Sequence, residues 1–230
     1  MTPPSFQRAR RPEQKQQRRA AILEAADQLR AEDGADAVSL TAIARRAGLA
    51  KSNVYRYFES REQIFLTLLV DDVRGWAGEV AGALGPLAGR NSPAAAAEII
   101  AGSFVNLPRL CELYSVLCRD FEHNVSPETA LDFTTRTSVD AVGVADVLHR
   151  AVPSISAERC LWAVRAVFAL VSGLWPLSRL SPAVEAAPSA PELRLQRPDF
   201  NRDLSSAVRA LLYGLQVESW RKSGHPVDSD

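Results

Sequence analysis

The chain has 230 residues, of which 47% are hydrophobic and 23% are charged. This composition is typical of a globular protein and argues against an intrinsically disordered chain. Its three cysteines contain no CxxC pair, which argues against a disulfide framework or a zinc knuckle and predicts a reducing, cytoplasmic location.

The balanced net charge hides an asymmetry along the chain. Residues 1–62 hold 12 basic and 8 acidic side chains, and the first 20 residues alone hold six basic side chains against Glu13. We therefore predict a disordered basic arm at residues 1–17 that is attracted to a polyanion. The arm could enter a DNA minor groove, or it could add only nonspecific attraction, and the sequence leaves both possibilities open.

Helical periodicity runs through the N-terminal third, and strand signals are nearly absent. Apolar residues at helical spacing predict a first helix that ends at Gly34. Ser39 is a candidate N-cap for a short second helix that ends at Gly48, and a third helix is expected over residues 51–58. Ser60 is a candidate N-cap for a long fourth helix.

The far half of the fourth helix carries glycines at spacings of three and four residues, and each costs about 1 kcal/mol against alanine inside a helix. They could form a groove for close helix approach or mark an early helix end. We expect the helix to fray past the second of them. The stripe consists of Gly75, Gly78, Gly82 and Gly85.

Prolines then mark the starts of further helices, because the first helical turn accepts proline. These helices are expected over residues 93–106, 108–121 and 126–151. An apolar helix follows at residues 156–177, then a proline-rich loop at 180–198 and a last helix at 199–221, before a disordered tail at 223–230. The class predicted from this pattern is all-α.

The apolar helix also resembles a membrane span in length. Arg165 lies near its middle and would cost roughly 2.5 to 3.5 kcal/mol at a bilayer centre, and Pro176 lies near its end. A buried helix is the better interpretation.

The second and third helices have the layout of a helix-turn-helix. Their inward positions are apolar: Ile43, Ala47, Leu49, Val54 and Phe58. Lys51, Ser52, Asn53 and Arg56 are left outside with the tyrosine hydroxyls. Lysine and arginine can neutralise phosphates, and asparagine can pair with an adenine edge in the major groove, so this pattern predicts a DNA-binding surface.

The run VSLTAIARRAGLAKSNVYRYFESRE at residues 38–62 strongly resembles the DNA-binding head of TetR-family transcriptional regulators. The resemblance covers roughly residues 18–65 and implies a helix-turn-helix head there, with a helical effector-binding and dimerisation body at residues 66–222. It implies phosphate contacts for Thr41 and Tyr55 and backbone contacts for Arg61. The groove-lining positions that it implies are Lys51, Ser52, Asn53, Arg56 and Tyr57.

Ala50 departs from the family pattern, because relatives often carry a capping serine there. The third helix could start about 1 kcal/mol weaker unless Ser52 compensates.

The resemblance also implies a homodimer on a palindromic operator, built from the helices near residues 156–178 and 199–221. The apolar helix supports this, because one face can meet its own core and the others need a partner. The alternative is the central helix of a monomeric bundle.

A small-molecule effector is the family's usual control, and we expect one here. Each candidate ligand residue could instead be core. The candidates are Trp76, Phe104, Leu107, Tyr114, Leu117, Cys118, Phe121, Phe133, Phe168 and Trp175, together with Arg165. Arg165 must be paired or reach water, and it could meet a carboxylate across the dimer or an anionic ligand.

No metal and no cofactor is expected, since Cys118, Glu122 and His123 lack a defensible ligand geometry. No nucleophile motif, phosphate loop or HExxH sequence is present, so we do not expect an enzyme. The predicted function is a ligand-released repressor. The alternative is a DNA-binding regulator without an effector, controlled by a protein partner or by its abundance.

Overall fold

The computed structural model describes residues 12–179 and 197–222, without the side chains of residues 117–123 and 222. Every regular element in these ranges is a helix, which confirms the all-α class. Short 3-10 turns lie at Ala35–Ala37 and Gly85–Leu87. The α-helices are α1 (Pro12–Asp33), α2 (Leu40–Arg46), α3 (Lys51–Val54), α4 (Arg61–Leu84), α5 (Pro93–Gly102), α6 (Pro108–Asn124), α7 (Pro127–Ala151), α8 (Ala157–Leu177) and α9 (Phe200–Lys222).

The first helix begins earlier than the sequence predicts. α1 starts at Pro12, so the prediction of a disordered arm through residue 17 is wrong for residues 12–17. Proline is well suited to this position, because the first helical turn needs no backbone N–H. The rest of that arm, most of the proline-rich loop and the C-terminal tail lie outside the described residues.

The head consists of α1, α2, α3 and the start of α4, packed around one small apolar core. Ile22, Ile43, Val54 and Ile64 are each 0% exposed within it. Ser39 caps α2 by accepting a hydrogen bond from the Ala42 N–H, as predicted. Buried apolar residues of α2 and α3 share this core with those of α1 and α4, which fixes α2 and α3 relative to each other.

The fourth helix is continuous, and the prediction that it frays past Gly78 is wrong. α4 begins with Ser60 as N-cap and runs to Leu84. Its glycines lie on the exposed side, with nothing within 4 Å of the added Cβ atom at Gly75, Gly78 or Gly82. The opposite side buries large apolar residues, and this burial outweighs the glycines' weak helix propensity. The predicted boundary at residues 65 and 66 therefore falls inside one rigid helix that belongs to both head and body.

In the body, α6 and α7 pack against α4, α8 packs against α6 and α7, and α9 packs against α5 and α8. Its centre is an aromatic cluster in which the Trp76 ring lies 5.4 Å from Phe104 and 4.8 Å from Phe168. The indole N–H of Trp76 donates to the Ser103 hydroxyl at 2.8 Å. Buried polar groups need partners, and this bond satisfies the only polar atom of that ring.

One described helix, α8, is long and apolar enough to cross a membrane by length and composition. Core helices pass the same test, so one such helix is weak support for a span. Only 39% of its most apolar window is buried within the chain. The prediction that this helix is buried therefore holds for one side of α8, and the described part of the chain does not cover the other side.

Candidate functional site

The turn between α2 and α3 is a tight helix end stabilised by backbone hydrogen bonds. Gly48 has a φ of 67°, in the left-handed region that glycine adopts without a steric penalty. The Leu49 N–H donates to the Ala44 carbonyl at 2.9 Å, five residues back, as in a Schellman motif. This turn sets the direction in which α3 leaves the head.

The third helix is shorter than the predicted span of residues 51–58. Its α-helical part is Lys51–Val54, and a tighter turn follows, in which the Tyr57 N–H donates to the Val54 carbonyl at 2.9 Å. Val54 and Phe58 are 0% and 2% exposed. These two side chains anchor both ends of the segment in the core and leave its other face outside.

The outer face of this segment carries most of the residues predicted to bind DNA. Lys51, Ser52, Tyr55 and Arg56 are exposed, and so is Thr41 on α2; Asn53 is half-buried. Lys51 Nζ lies 5.9 Å from the centre of the Tyr55 ring. Cations, hydroxyls and one amide thus share one accessible surface, a combination that can contact both phosphates and base edges. We call this surface the recognition surface; it consists of Thr41, Lys51, Ser52, Asn53, Tyr55 and Arg56.

Tyr57 and Arg61, the other two residues predicted to contact DNA, also make contacts within the head. Tyr57 is half-buried and packs against the head core. The Arg61 guanidinium donates to the carbonyls of Asp36 and Val38 at 3.2 and 3.0 Å, and it also pairs with Glu62. Arg61 therefore holds the start of α4 against the loop before α2, rather than reaching outward.

An exposed cation that the sequence interpretation missed lies beside the recognition surface. Arg45 follows Thr41 by one helical turn on α2 and is exposed. Its neighbour Arg46 is instead held by two hydrogen bonds to Glu32, at 2.8 and 2.6 Å. Within the described residues Arg46 has an ion-pair partner and Arg45 has none, and the residue types alone do not show this difference.

A cavity of about 180 Å³ lies in the body between α4, α6, α7 and α8. Most of its wall is aromatic or aliphatic, and hydroxyl or charged groups are contributed by α6, α7 and α8. It is lined by Val73, Trp76, Tyr114, Phe133, Thr137, Ser138, Ala141, Val164, Arg165 and Phe168.

Five of the predicted ligand residues lie around this cavity, namely Trp76, Tyr114, Phe133, Arg165 and Phe168. Three others among the described residues do not line it. Phe104 is 0% exposed behind the rings of Trp76 and Phe168, Leu107 lies at the start of α6, and Trp175 packs edge-on against Phe200. The side chains of Leu117, Cys118 and Phe121 lie outside the described set.

The cavity residues that the sequence interpretation missed are small or hydroxylic. Thr137, Ser138 and Ala141 come from α7, and Val73 and Val164 complete the aliphatic wall. The Thr137 hydroxyl donates to the Phe133 carbonyl at 2.9 Å, so its oxygen keeps a lone pair for a guest.

The body is joined to the head through ion pairs from α6. Arg109 donates to Asp72 on α4 at 2.8 Å and to Asp27 on α1 at 2.6 Å. Glu112 accepts from Arg30 at 2.6 Å and from the Ala35 N–H at 2.8 Å. Burial would raise the pKa of Asp27, but the hydrogen bonds from Arg30 and Arg109 outweigh it and leave that pKa lowered. Hydrogen bonding to Asp72 is the main cause that raises the pKa of Arg109.

A second junction joins the start of α7 to the end of residues 51–58, which we call the recognition segment. The Ser126 N–H donates to the Glu59 carboxylate at 2.9 Å, and the Gln63 side chain donates to the Thr129 hydroxyl at 3.0 Å. The bond from the Ser126 backbone is the main cause that lowers the pKa of Glu59. α7 also lines the cavity, so one helix touches both the cavity and the residue that follows Phe58.

Two of the three cysteines are buried free thiols. Burial raises the pKa of both Cys111 and Cys160 to about 12. Burial therefore disfavours the thiolate form of both side chains, and the thiolate is the reactive form. The described residues contain no group of metal-ligating side chains, and the side chains of Cys118, Glu122 and His123 fall outside them.

An apolar surface runs along the outer sides of α8 and α9. Trp162, Tyr213 and Trp220 are 46%, 44% and 44% exposed. Small residues lie among them, since Ala169, Gly173, Ala210 and Gly214 are all exposed. We call this surface the α8–α9 face.

Comparisons with known families match both halves of the chain. Residues 22–68 match the model described as bacterial regulatory proteins of the tetR family, and residues 70–219 match the tetracyclin repressor-like C-terminal domain. A comparison with curated proteins found no match.

Solved structures share the fold over most of the chain. PfmR of Thermus thermophilus, a TetR-family transcriptional regulator, is 20% identical, with 84% of this chain and 98% of that chain covered and a TM-score of 0.54. The fatty acid degradation regulator FadR of Bacillus halodurans is 15% identical, with 90% and 97% covered and a TM-score of 0.54. FadR of Thermus thermophilus in complex with lauroyl-CoA is 18% identical, with 86% and 94% covered and a TM-score of 0.55.

At these low sequence identities, the structural likeness establishes the fold alone. The two family models match the amino-acid sequences of the head and of the body. Members of this family are DNA-binding regulators and not enzymes. The chain belongs to the TetR family of bacterial transcriptional regulators.

Proposed function

We propose that this regulator is a homodimeric repressor that binds a palindromic operator through the recognition surface and is released by a small molecule bound in the body. The observation that carries the DNA-binding part is the recognition surface itself. Lys51, Ser52, Tyr55 and Arg56 are exposed together, while Val54 and Phe58 hold the segment in the core. A cytoplasmic location accompanies this function.

The α8–α9 face supports the dimer. One recognition segment of this length spans few base pairs, so such heads work in pairs on half-sites about one helical turn apart. Exposed Trp162, Tyr213 and Trp220 form an apolar surface of the kind that a second copy would cover. The small residues among them permit close helix packing, which favours four helices meeting across a two-fold axis.

The cavity supports control by a small molecule over control by protein abundance alone. It is bounded by α4, which continues into the head, and by α7, which is bonded to Glu59. A guest that binds one arrangement of these helices better than another shifts the population of heads spaced for DNA. Release then requires only a difference in affinity between the two arrangements.

The experiment starts from duplexes selected out of a randomised pool with the full chain. Wild type is expected to enrich one palindromic sequence. Asn53→Ala should lose preference at one base pair of each half-site, and Lys51→Ala should weaken all duplexes about equally. Arg90→Ala, at an exposed body position, is the matched control and should change nothing. A pool without enrichment contradicts the proposal, as does loss of preference in the control.

Repression is tested by placing the selected duplex over a promoter that drives a reporter. Expression of the chain should lower reporter output, and Asn53→Ala should restore it. Higher output with the wild-type chain would identify an activator instead.

A further inference from the structure

The cavity in the body has walls that suit the apolar part of a guest. The rings of Trp76, Tyr114, Phe133 and Phe168 all border it. Because the Trp76 N–H is already bonded to Ser103, this ring offers only its apolar surface. Tyr114 and Phe168 lie 4.8 Å apart, ring to ring, and close one side of the wall.

One charged side chain borders this apolar space. Among the ten described lining residues, Arg165 is the only charged one, and none is acidic. In the described part of the chain, its guanidinium has no hydrogen-bond or ion-pair partner, unlike Arg159 one and a half turns earlier on α8, which pairs with Glu218. A guanidinium beside an apolar cavity can bind a carboxylate with two parallel hydrogen bonds.

Arg165 lies at the boundary between the cavity and the exterior. It is exposed, whereas Val164 and Phe168 on either side of it are 2% and 6% exposed. The charged head can stay in water while the stem follows the apolar wall, as long basic side chains commonly do. Arg165 lies one turn from Trp162 and Ala169 on the exposed side of α8, so it also borders the α8–α9 face.

Size limits the guest. A volume of about 180 Å³ is slightly larger than a cavity of roughly 150 Å³ that holds benzene. One aromatic ring with a short chain, or a short acyl chain, fills this space. Ser138, Thr137 and Tyr114 contribute further hydroxyl groups to its lining.

We propose that the cavity binds a small monocarboxylate whose apolar body contacts the aromatic wall and whose carboxylate is held by Arg165. This ligand class rests on the proposed function, in which the guest of the cavity releases the operator. It goes further by fixing the charge, size and orientation of that guest. The neutral analogue of the same shape should bind more weakly, because it cannot form the charge-assisted pair.

The test measures binding to the full chain by calorimetry with three carboxylates: phenylacetate, indole-3-acetate and hexanoate. Each is paired with its primary amide, which has nearly the same shape and no charge. Wild type should bind at least one carboxylate about tenfold more tightly than its amide. Comparing the two aromatic probes with hexanoate shows whether the cavity prefers a ring or an acyl chain.

Two variants and one control assign the effect to the site. Arg165→Gln should lower carboxylate affinity to that of the amide and leave amide affinity unchanged. Ala141→Phe should fill the cavity and abolish binding of both. Arg150→Gln removes an exposed cation from the end of α7, away from the cavity, and should retain the wild-type preference.

Several results overturn the proposal. These are equal affinity for acid and amide in wild type, no binding of any probe, or a charge preference that survives in Arg165→Gln. A dimer that dissociates in Arg165→Gln would instead assign this arginine to a carboxylate of the second copy. Operator binding by the ligand-free wild type is measured alongside. If it persists while no carboxylate binds, the ligand class fails alone, and if it is also absent, the proposed function fails with it.

Discussion

Glu59, the residue directly after the recognition segment, accepts a hydrogen bond from the backbone N–H of Ser126 at 2.9 Å. Ser126 is the N-cap of α7, whose later turns line the body cavity. The contact therefore connects the DNA-binding head to a wall of the cavity through one helix. Phe133 supports this connection, because it borders both the cavity and the groove beside Glu59.

Replacing Glu59 tests this contact. Glu59→Ala removes the acceptor for the Ser126 N–H, so it should lower the free energy of unfolding by about 1 kcal/mol and speed amide exchange over residues 126–130. Glu59→Gln keeps a carbonyl acceptor and is the matched control. Identical exchange in the two variants would show that the contact does not hold α7.

The ion pairs of Arg109 with Asp27 and Asp72 should contribute more to stability than exposed ion pairs do. Arg109→Ala leaves the part-buried carboxylates of Asp27 and Asp72 without their shared partner, and we expect a loss of about 2 kcal/mol in urea unfolding. Arg136→Ala is the control, because its pair with Asp132 is exposed and 3.7 Å long, and it should cost less than about 0.5 kcal/mol. Equal losses of unfolding free energy in Arg109→Ala and Arg136→Ala would contradict the larger contribution of Arg109.

Acid should destabilise the two junctions between head and body. The folded-state pKa values of Asp27 and Glu59 lie below their ordinary values of 3.8 and 4.5. The stability they contribute is therefore fully present above those ordinary values and is lost as pH falls through the lower folded values. The double variant Asp27→Asn, Glu59→Gln should lose less unfolding free energy between about pH 5 and pH 3 than wild type. If the unfolding free energy falls equally with pH in wild type and in the double variant, these two carboxylates are not the cause of the acid sensitivity.

The third helix lacks a side-chain cap, and adding one should stabilise the head. Ala50 is its N-cap and makes no side-chain hydrogen bond. Ala50→Ser should raise the free energy of unfolding by about 0.5 to 1 kcal/mol and strengthen operator binding. Ser52→Ala should leave stability unchanged, because Ser52 does not take over the capping role in the described structure. A destabilised Ser52→Ala variant would show that Ser52 does compensate for Ala50.

Sequence alone predicted the elements whose signals are local. Ser39 and Ser60 are N-caps because each hydroxyl acts within one turn, and Gly48 ends α2 because the left-handed turn needs glycine there. The helix starts near Pro93, Pro108 and Pro127 follow from the same local logic. These features depend on neighbours within four residues, which the sequence displays directly.

The sequence did not show which apolar face meets which neighbour. Trp175 and Phe104 are the same residue types as Trp76 and Phe168. Only Trp76 and Phe168 border the cavity. Thr137 also lines the cavity, and no pattern within α7 specifies that position. The role of Arg61 likewise depends on carbonyls 23 and 25 residues earlier in the chain.

Paired insertion of the recognition segment into DNA is tested most directly by a footprint on the selected duplex. Hydroxyl-radical cleavage with the full chain should show two protected half-sites about one helical turn, roughly 34 to 36 Å, apart, and Arg56→Ala should remove both together. Complex mass should correspond to an even number of copies. A single continuous protection with no spacing, or a footprint unaffected by Arg56→Ala, would contradict paired insertion of the recognition surface.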